Sequence, residues 1–354
     1  MAQRLLAWLR RELAAPALAF AEAPVRIHGG FDTAIFAFRL TEAKPPFDAP
    51  LVLRLYRAEQ GAAQARFEGA VHEAVAARGF PTPRALAVGD ESSGLPGAFL
   101  ILERVAGRNA LRALASTVLP RIPALLADAQ AQLHSLDAVA VLRDLAAAGV
   151  PADRLAAGRD LDFATGEVER LALDGLRPAL DWLRAGPPTS TSVICHGDFH
   201  PLNVMIDGRA VSGVIDWTRV REAPPEYDVG ASIALMTQGE IRLPPGSAPL
   251  ADAARRVLVA LYLRAYRRRR ALDPRALRHF EALRCVLFLV EAGEHRRADA
   301  GEIPRPSKAT AFAGDRTVRR IAARLRQIAG VAVAIPPGAK PGAGRAAAQK
   351  GGSG

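Results

Sequence analysis

Cysteine and long apolar runs are scarce in this chain of 354 residues, and each scarcity excludes a class of protein. The two cysteines, Cys195 and Cys285, are too few for a disulfide framework and lack the spacing of a zinc site. We therefore expect a protein of the reducing cytoplasm. No uninterrupted apolar run approaches the roughly 18–20 residues that cross a bilayer, so we predict no membrane span.

Lysine is also rare: only four of the 47 basic residues are lysines, and none lies between residues 45 and 307. The formal net charge of +11 is concentrated in one region. Residues 1–250 contain 25 basic and 28 acidic residues, whereas residues 251–330 contain 19 basic and 8 acidic residues. Most of the chain is therefore near neutral.

The segment 261–272 (LYLRAYRRRRAL) places five arginines on one predicted helix. Such a run is usually a solvated helix face, and no aromatic-interleaved nucleic-acid module accompanies it. We expect no specific nucleic-acid partner. The alternative, an arginine patch that binds polyanions, predicts a strongly salt-dependent affinity.

The apolar share of 50% predicts a packed protein, and the length suggests two domains or lobes. After an amphipathic first helix, the pattern alternates short strands with one helix as far as residue 103. From residue 118 it is mainly helical, with a short β insert near 192–215. We predict an α+β fold with a small β-rich lobe (1–103) that has one helix, a larger helical lobe (104–330) and a disordered tail (331–354).

The most informative stretch is 193–217, VICHGDFHPLNVMIDGRAVSGVIDW. Asp198 follows a predicted strand, Asn203 comes five residues later, and Asp216 ends the next predicted hairpin. Phosphoryl transfer needs a carboxylate that orients the attacking hydroxyl and oxygen ligands for the magnesium on the nucleotide phosphates. This spacing lets the three side chains face one small volume.

The motifs HGDFHPLN and VIDW resemble those of the aminoglycoside phosphotransferase family, kinase-like enzymes that include antibiotic, choline and other small-molecule kinases. The resemblance implies a bilobal protein-kinase-like fold and magnesium-assisted transfer from ATP or GTP to a hydroxyl of a small molecule. It implies that Asp198 is the catalytic base and that His196 braces the loop. It also implies that Asn203 and Asp216 bind Mg²⁺.

The upstream half is similar to the family's nucleotide-phosphate site. Gly29, Gly30 and Thr33, in RIHGGFDTA, lie between the first predicted helix and a strand, where glycines allow close approach to phosphate oxygens. The strand VLRLY then carries Arg54 at the position of the family's phosphate-binding cation. Protein kinases have lysine there, but arginine is permanently charged and can bind phosphate in a fork.

The cation's acidic partner is expected on the following helix, where Glu68 fits best and Glu73 is the alternative. Backbone groups near Glu103 to Val105 match the segment that would bind adenine. In EYDVG, Asp228 is expected to anchor the catalytic loop by hydrogen bonds.

The acceptor pocket of the family lies between the segment 138–190 and the C-terminal helices. The basic C-terminal region favours a neutral or anionic alcohol over a polycationic aminoglycoside. The acidic residues in 138–190 nevertheless keep an aminoglycoside possible. Macrolides, amino alcohols and sugars also stay open as acceptors. A second hypothesis is a catalytically weak nucleotide- or ligand-binding module on the same fold. The choice between ATP and GTP and the oligomeric state stay open.

Overall fold

A computed structural model describes residues 1–27, 33–56, 61–113, 121–186, 191–239, 248–306 and 310–337. Its N-terminal part is built on a five-stranded antiparallel sheet in the order β1–β2–β3–β5–β4. The strands of this sheet are β1 (Ala19–Ile27), β2 (Thr33–Thr41), β3 (Leu51–Tyr56), β4 (Ala85–Gly89) and β5 (Phe99–Glu103).

Two helices, α1 (Ala2–Glu12) and α2 (Gly61–Ala76), cover the two faces of the sheet. Successive side chains of a strand point to opposite faces, and β5 shows the division. Phe99 belongs to the apolar cluster of α1, where its ring lies 4.8 Å from that of Trp8. Leu100 belongs to the cluster that includes Ala65 of α2.

Strand β1 is not predicted by the sequence pattern, which indicates only a helix before residue 26. The strand lies at the edge of the sheet, pairs with β2 alone and has two shifts of register. Most of its side chains are exposed or half-buried. It therefore lacks regular apolar alternation, and its Pro24, which has no N–H to donate, is tolerated because an edge strand needs fewer hydrogen bonds.

The C-terminal part is mainly helical, as predicted. Its helices are α3 (Ala110–Ala113), α4 (Ile122–Leu133), α5 (Ala138–Ala147), α6 (Arg159–Arg170), α7 (Arg177–Arg184), α8 (Pro225–Gln238), α9 (Ala248–Arg267), α10 (Pro274–Asp299) and α11 (Asp315–Ala329). Short strands form two small sheets: β6 (Arg108–Asn109) with β8 (Val204–Asp207) and β9 (Ala210–Val214), and β7 (Val193–Cys195) with β10 (Arg221–Ala223). Among the helices described, none combines the length and the apolar composition of a bilayer-spanning segment.

Helices α8 and α10 pack against each other through the centre of this part. Both are buried around most of their circumference, which is typical of helices inside a large core. The first residues after α11 also pack, because Val331, Val333 and Ile335 lie against the cluster of α6, α7 and α10. The molecule is thus an α+β protein with a small sheet and a larger helical body.

A buried hydrogen-bonded cluster joins the two parts. His72 of α2 is fully buried, and its Nδ1 lies 2.9 Å from Oγ1 of Thr82. Thr82 donates its hydroxyl to the carbonyl of Val214 and accepts a hydrogen bond from Nε1 of Trp217. Since the single hydroxyl proton is already used, His72 is the donor to Thr82. The cluster ties α2 to the end of β9.

Replacing His72 by glutamine is expected to flatten the acid dependence of stability. Burial, followed by the charge of Arg54, lowers the pKa of His72 to about 3. The folded-state pKa lies below the unfolded value of about 6.5, so this contribution is complete above that pH and is lost as the pH falls towards 3. Its slope is at most about 1.4 kcal/mol per pH unit. Urea unfolding of wild type and His72→Gln at pH 7, 6 and 5 measures the difference, and parallel pH curves would contradict it.

Candidate active site

Asp198 lies in the loop after β7, and both of its carboxylate oxygens have neighbours. Oδ1 accepts a hydrogen bond from Nη2 of Arg284 at 2.5 Å, and Oδ2 accepts one from Nδ2 of Asn203 at 3.2 Å. Nε2 of His200 lies 3.4 Å from Oδ2. Burial acts to raise the pKa of Asp198, but His200, Arg284 and Arg219 together hold that pKa well below its usual range. Asp198 is therefore an ionised carboxylate, and 21% of its side chain remains exposed.

Asp228, on α8, anchors the loop that carries Asp198. Its carboxylate accepts the backbone N–H groups of His196 at 3.0 Å and Gly197 at 2.8 Å. Nε2 of His134 lies 3.0 Å from the same carboxylate, and Nδ1 of His134 lies 2.6 Å from the hydroxyl of Tyr266. Burial opposes ionisation, but His134 and the loop hydrogen bonds lower the pKa of Asp228. The predicted anchoring contacts of Asp228 are present.

Gly197 and His196 fix the shape of the loop. Gly197 has φ +76°, and a Cβ there would lie 2.1 Å from the carbonyl oxygen of Arg219, so only glycine fits. Nδ1 of His196 accepts the N–H of Asp198, which leaves the ring proton on Nε2, where it is donated to the carbonyl of Ile215 at 3.1 Å. Burial lowers the pKa of His196. A neutral imidazole therefore joins the loop to the segment that carries Asp216.

Asn203 and Asp216 are brought together by the β8–β9 hairpin. Its register pairs Val204 with Val214, and the N–H of Ile215 donates to the carbonyl of Asn203 at 2.9 Å. Asp216 follows directly at the same end. It has φ +70°, a left-handed conformation that is uncommon for residues other than glycine and clusters at functional sites.

The oxygens of these two side chains suit a hard divalent cation. Asn203 turns its Nδ2 towards Asp198, and within the described part of the chain its Oδ1 has no hydrogen-bond partner. The side chain of Asp216 is 38% exposed, and its Oδ1 lies 3.3 Å from Nη2 of Arg54. Amide and carboxylate oxygens are the ligands that Mg²⁺ prefers in proteins. The predicted pair therefore fits a magnesium ion.

Arg54 links this pair to the sheet. Its Nη1 lies 3.2 Å from Oε2 of Glu68, and its Nη2 lies 3.3 Å from Oδ1 of Asp216. Glu68 is fully buried and accepts a further hydrogen bond from Gln64. Glu73 points elsewhere and binds Arg84 at 3.0 Å on the surface. Of the two glutamates considered, Glu68 is thus the one in contact with Arg54.

The predicted phosphate loop is only partly visible, since Gly29 and Gly30 lie outside the described residues. Thr33 is the first residue of β2, is buried and pairs with Tyr56. The expectation that this segment connects a helix to a strand is wrong, because Arg26 belongs to β1. In the sequence the two glycines lie between β1 and β2, and the irregular edge strand β1 accounts for the difference.

Glu103 and Val105 lie where the sheet meets the helical part. Glu103 ends β5, and its carboxylate is 3.4 Å from the N–H of Arg84. Val105 packs beside Gly213 of β9, since a Cβ at Gly213 would lie 3.0 Å from it. The hydroxyl of Ser212 donates to the carbonyl of Ala106 at 2.6 Å. The segment is therefore fixed against the hairpin that carries Asn203 and Asp216.

Three residues near Asp198 were not found by sequence reasoning. His200 stands two residues after Asp198 inside HGDFHPLN, and that fixed spacing is a signal that identifies it. Arg219 follows VIDW by two residues, with its Cβ packed against Gly197. Arg284 lies in the middle of α10, 86 residues from Asp198 in the sequence, and no local pattern marks it.

The sequence model of the phosphotransferase enzyme family matches residues 25–280, about three quarters of the chain. The chain belongs to this family. The predicted family is thereby confirmed, as is the prediction of an enzyme that transfers a phosphoryl group to an alcohol acceptor in the manner of small-molecule kinases. No curated protein sequence matches the chain.

Solved structures of related phosphotransferases have the same fold. A candidate aminoglycoside phosphotransferase from Ralstonia eutropha JMP134 is 20% identical, with a TM-score of 0.63 and coverage of 94% of this chain and 99% of the other. Macrolide 2′-phosphotransferase MphH from Brachybacterium faecium is 19% identical, with a TM-score of 0.53 and coverage of 91% of this chain and 97% of the other. A thermostable mutant of aminoglycoside phosphotransferase APH(4)-Ia is 16% identical, with a TM-score of 0.54 and coverage of 93% of this chain and 98% of the other. The predicted bilobal protein-kinase-like fold of this family member is confirmed.

Proposed function

We propose that this phosphotransferase moves the γ-phosphoryl group of ATP or GTP, with Mg²⁺, to a hydroxyl of a small molecule. The observation that carries the proposal is one hydrogen-bonded arrangement. Asn203 bonds Asp198 on one side and Ile215 on the other, and Asp216 is in contact with Arg54. These contacts connect an ionised carboxylate, two side chains with oxygens suited to Mg²⁺ and a permanently charged cation, which supports the proposal.

In this proposal Asp198 orients the acceptor hydroxyl and accepts its proton. The transition state of phosphoryl transfer is loose in most analyses, so positioning and charge stabilisation contribute more than base strength. A carboxylate with a lowered pKa suits this role, because it is ionised throughout the neutral range. His196, which is neutral and fully bonded, positions the loop and does not exchange a proton.

Asn203 Oδ1 and the carboxylate of Asp216 would hold the magnesium ion. Bound there, the ion would neutralise charge on the nucleotide phosphates during transfer. Arg54 would bind the phosphates of the nucleotide, and its contact with Asp216 joins the phosphate and metal sites. Both Glu68 and Asp216 raise the pKa of Arg54 against the effect of burial, so the guanidinium is permanently charged.

The remaining roles follow from position. Gly29, Gly30 and Thr33 would lie over the phosphates, and the backbone near Glu103 to Val105 would bind the base. In this scheme residues 1–103 bind the nucleotide, and residues 104–330 supply the catalytic loop, the metal ligands and the acceptor pocket. A structure of APH(4)-Ia in complex with AMP-PNP and hygromycin B supports a nucleotide and a small-molecule acceptor on this fold.

Replacing Asp216 by asparagine is expected to raise the Mg²⁺ concentration for half-maximal ATP consumption by at least about tenfold, because a charged ligand is lost. The matched control is Asp207→Asn, at the exposed end of β8 in the same hairpin, which should leave that concentration unchanged. Mg²⁺ titrations of both variants with an acceptor panel measure the effect. An equal Mg²⁺ requirement in all three proteins would contradict the metal assignment.

The contact between Arg284 and Asp198 is the observation that favours the second hypothesis, a catalytically weak binding module. It occupies the oxygen that an acceptor hydroxyl would approach. Such a module would be stabilised by nucleotide without consuming it. Thermal unfolding with nucleotide, beside an ATP-consumption assay across aminoglycosides, macrolides, amino alcohols and sugars, separates the two.

A further inference from the structure

Two arginines from distant parts of the sequence flank the carboxylate of Asp198. Arg284 reaches it from α10 with one nitrogen, Nη2. Arg219 packs its Cβ against Gly197 in the same loop, and its charge acts on Asp198. The place where an acceptor hydroxyl has to arrive is therefore bordered by two guanidinium groups.

Most of the hydrogen-bonding capacity of these guanidinium groups is unused. Arg284 is more than nine-tenths buried, yet its Nε has no hydrogen-bond partner among the residues that the structure describes. Arg219 is half-buried and makes no side-chain hydrogen bond or ion pair within the described residues. Each guanidinium has five N–H donors in a fork that matches carboxylate and phosphate oxygens. Two adjacent and largely unbonded forks form a ready site for an anion.

Of the two carboxylates besides Asp198 whose charge acts on Arg219, one is engaged elsewhere. Asp160 of α6 accepts hydrogen bonds from Arg221 at 2.6 Å and from the hydroxyl of Tyr227 at 2.5 Å. Glu291, two turns after Arg284 on α10, is a more distant carboxylate whose charge also reaches Arg219. Burial, followed by the charge of Arg219, lowers the pKa of Arg284, as expected for two cations near each other.

The acidic residues of segment 138–190 leave a polycationic acceptor possible at the level of sequence. In the structure, arginines neutralise the charge of most of them. Five of the seven acidic residues from Asp153 to Asp181 form ion pairs with arginine: Asp153, Asp160, Glu167, Asp174 and Asp181. The other two, Asp162 and Glu169, are exposed. A polycation would thus find few free carboxylates here and two cations beside the catalytic loop.

We propose that the acceptor is a small alcohol that carries an anionic group, a carboxylate or a phosphate, bound by Arg219 and Arg284 beside Asp198. The inference rests on the proposed function, since it places the acceptor hydroxyl at Asp198. Binding of the anion gives Arg284 a partner for its free donors and loosens its hold on Oδ1 of Asp198. Acceptor binding and exposure of the catalytic carboxylate are thereby coupled.

A set of four hexose derivatives tests the charge requirement at nearly constant shape: glucuronate, glucose 6-phosphate, glucose and glucosamine. Isothermal titration calorimetry of the full chain with Mg²⁺ and AMP-PNP measures binding independently of turnover. We expect at least one of the two anions to bind 10- to 100-fold more tightly than glucose, about the strength of a hydrogen bond between charged groups, and glucosamine to bind most weakly. Which anion binds distinguishes a carboxylate acceptor from a phosphate acceptor.

The variant Arg219→Gln is expected to lose most of this preference for anions while AMP-PNP binding and thermal stability stay as in wild type. The matched control, Arg209→Gln in the exposed hairpin turn, should keep the preference. Equal binding of all four sugars, a preference for glucosamine, or an anion preference that survives in Arg219→Gln would overturn the inference. Anion-selective binding, together with no phosphoryl transfer from ATP or GTP to these sugars or to the acceptor panel, would refute the proposed function and leave the anion site standing.

Discussion

Replacing Asp198 by asparagine is expected to lower nucleotide-dependent phosphorylation by roughly 100- to 10,000-fold, the usual contribution of a positioned general base. The amide keeps the shape of the side chain but neither accepts the hydroxyl proton nor carries the charge. Nucleotide affinity should change little, because Arg54 and the sheet are untouched. Steady-state rates and nucleotide titration of the same preparation measure the two quantities.

The same substitution leaves Arg284 buried without its partner, so stability should fall by about 1–3 kcal/mol. The double variant Asp198→Asn/Arg284→Gln removes the uncompensated charge and is expected to recover part of that stability but none of the activity. This separates loss of chemistry from loss of fold. Recovery of phosphorylation in the double variant would contradict the role of Asp198.

Replacing Glu68 by glutamine is expected to reduce the free energy of unfolding by about 3–5 kcal/mol, since it removes the partner of a buried cation. Arg54 is 9% exposed in its side chain and Glu68 is fully buried, so water cannot replace the lost charge. The released guanidinium should also raise the KM for nucleotide by roughly tenfold, equivalent to about 1.4 kcal/mol.

Glu73→Gln is the matched control, on the same helix and with an arginine partner of its own. Its pair with Arg84 is exposed, so the variant should lie within about 1 kcal/mol of wild type and keep its KM. Urea unfolding and nucleotide kinetics of both variants give the comparison. Equal losses in the two would refute the assignment of Glu68 as the partner of Arg54.

The sequence predicts those parts of the site whose residues lie close together along the chain. His196, Asp198 and Asn203 lie within eight residues, and the hairpin that returns Asp216 is short, so spacing alone brings them together. Glu68 follows from its place on the helix after Arg54. The sequence also predicts that Asp228 anchors the catalytic loop, because this residue lies in the EYDVG motif.

Two features that the sequence does not predict depend on contacts between distant segments. Arg284 meets Asp198 only after α10 packs on α8, and nothing in the helix itself distinguishes it from other arginines. The cluster of His72, Thr82 and Trp217 likewise forms where two parts of the fold meet. Strand β1 was missed because an edge strand with proline lacks apolar alternation.

The most direct test follows the terminal phosphate itself. Wild type and Asp198→Asn are incubated with Mg²⁺ and ATP labelled in the γ-phosphoryl group, together with the acceptor panel, and the acceptors are separated and counted. The account predicts label in a phosphate ester of an acceptor with wild type and only background with the variant. Equal labelling by the two proteins, or label that appears with wild type only as inorganic phosphate, would contradict it.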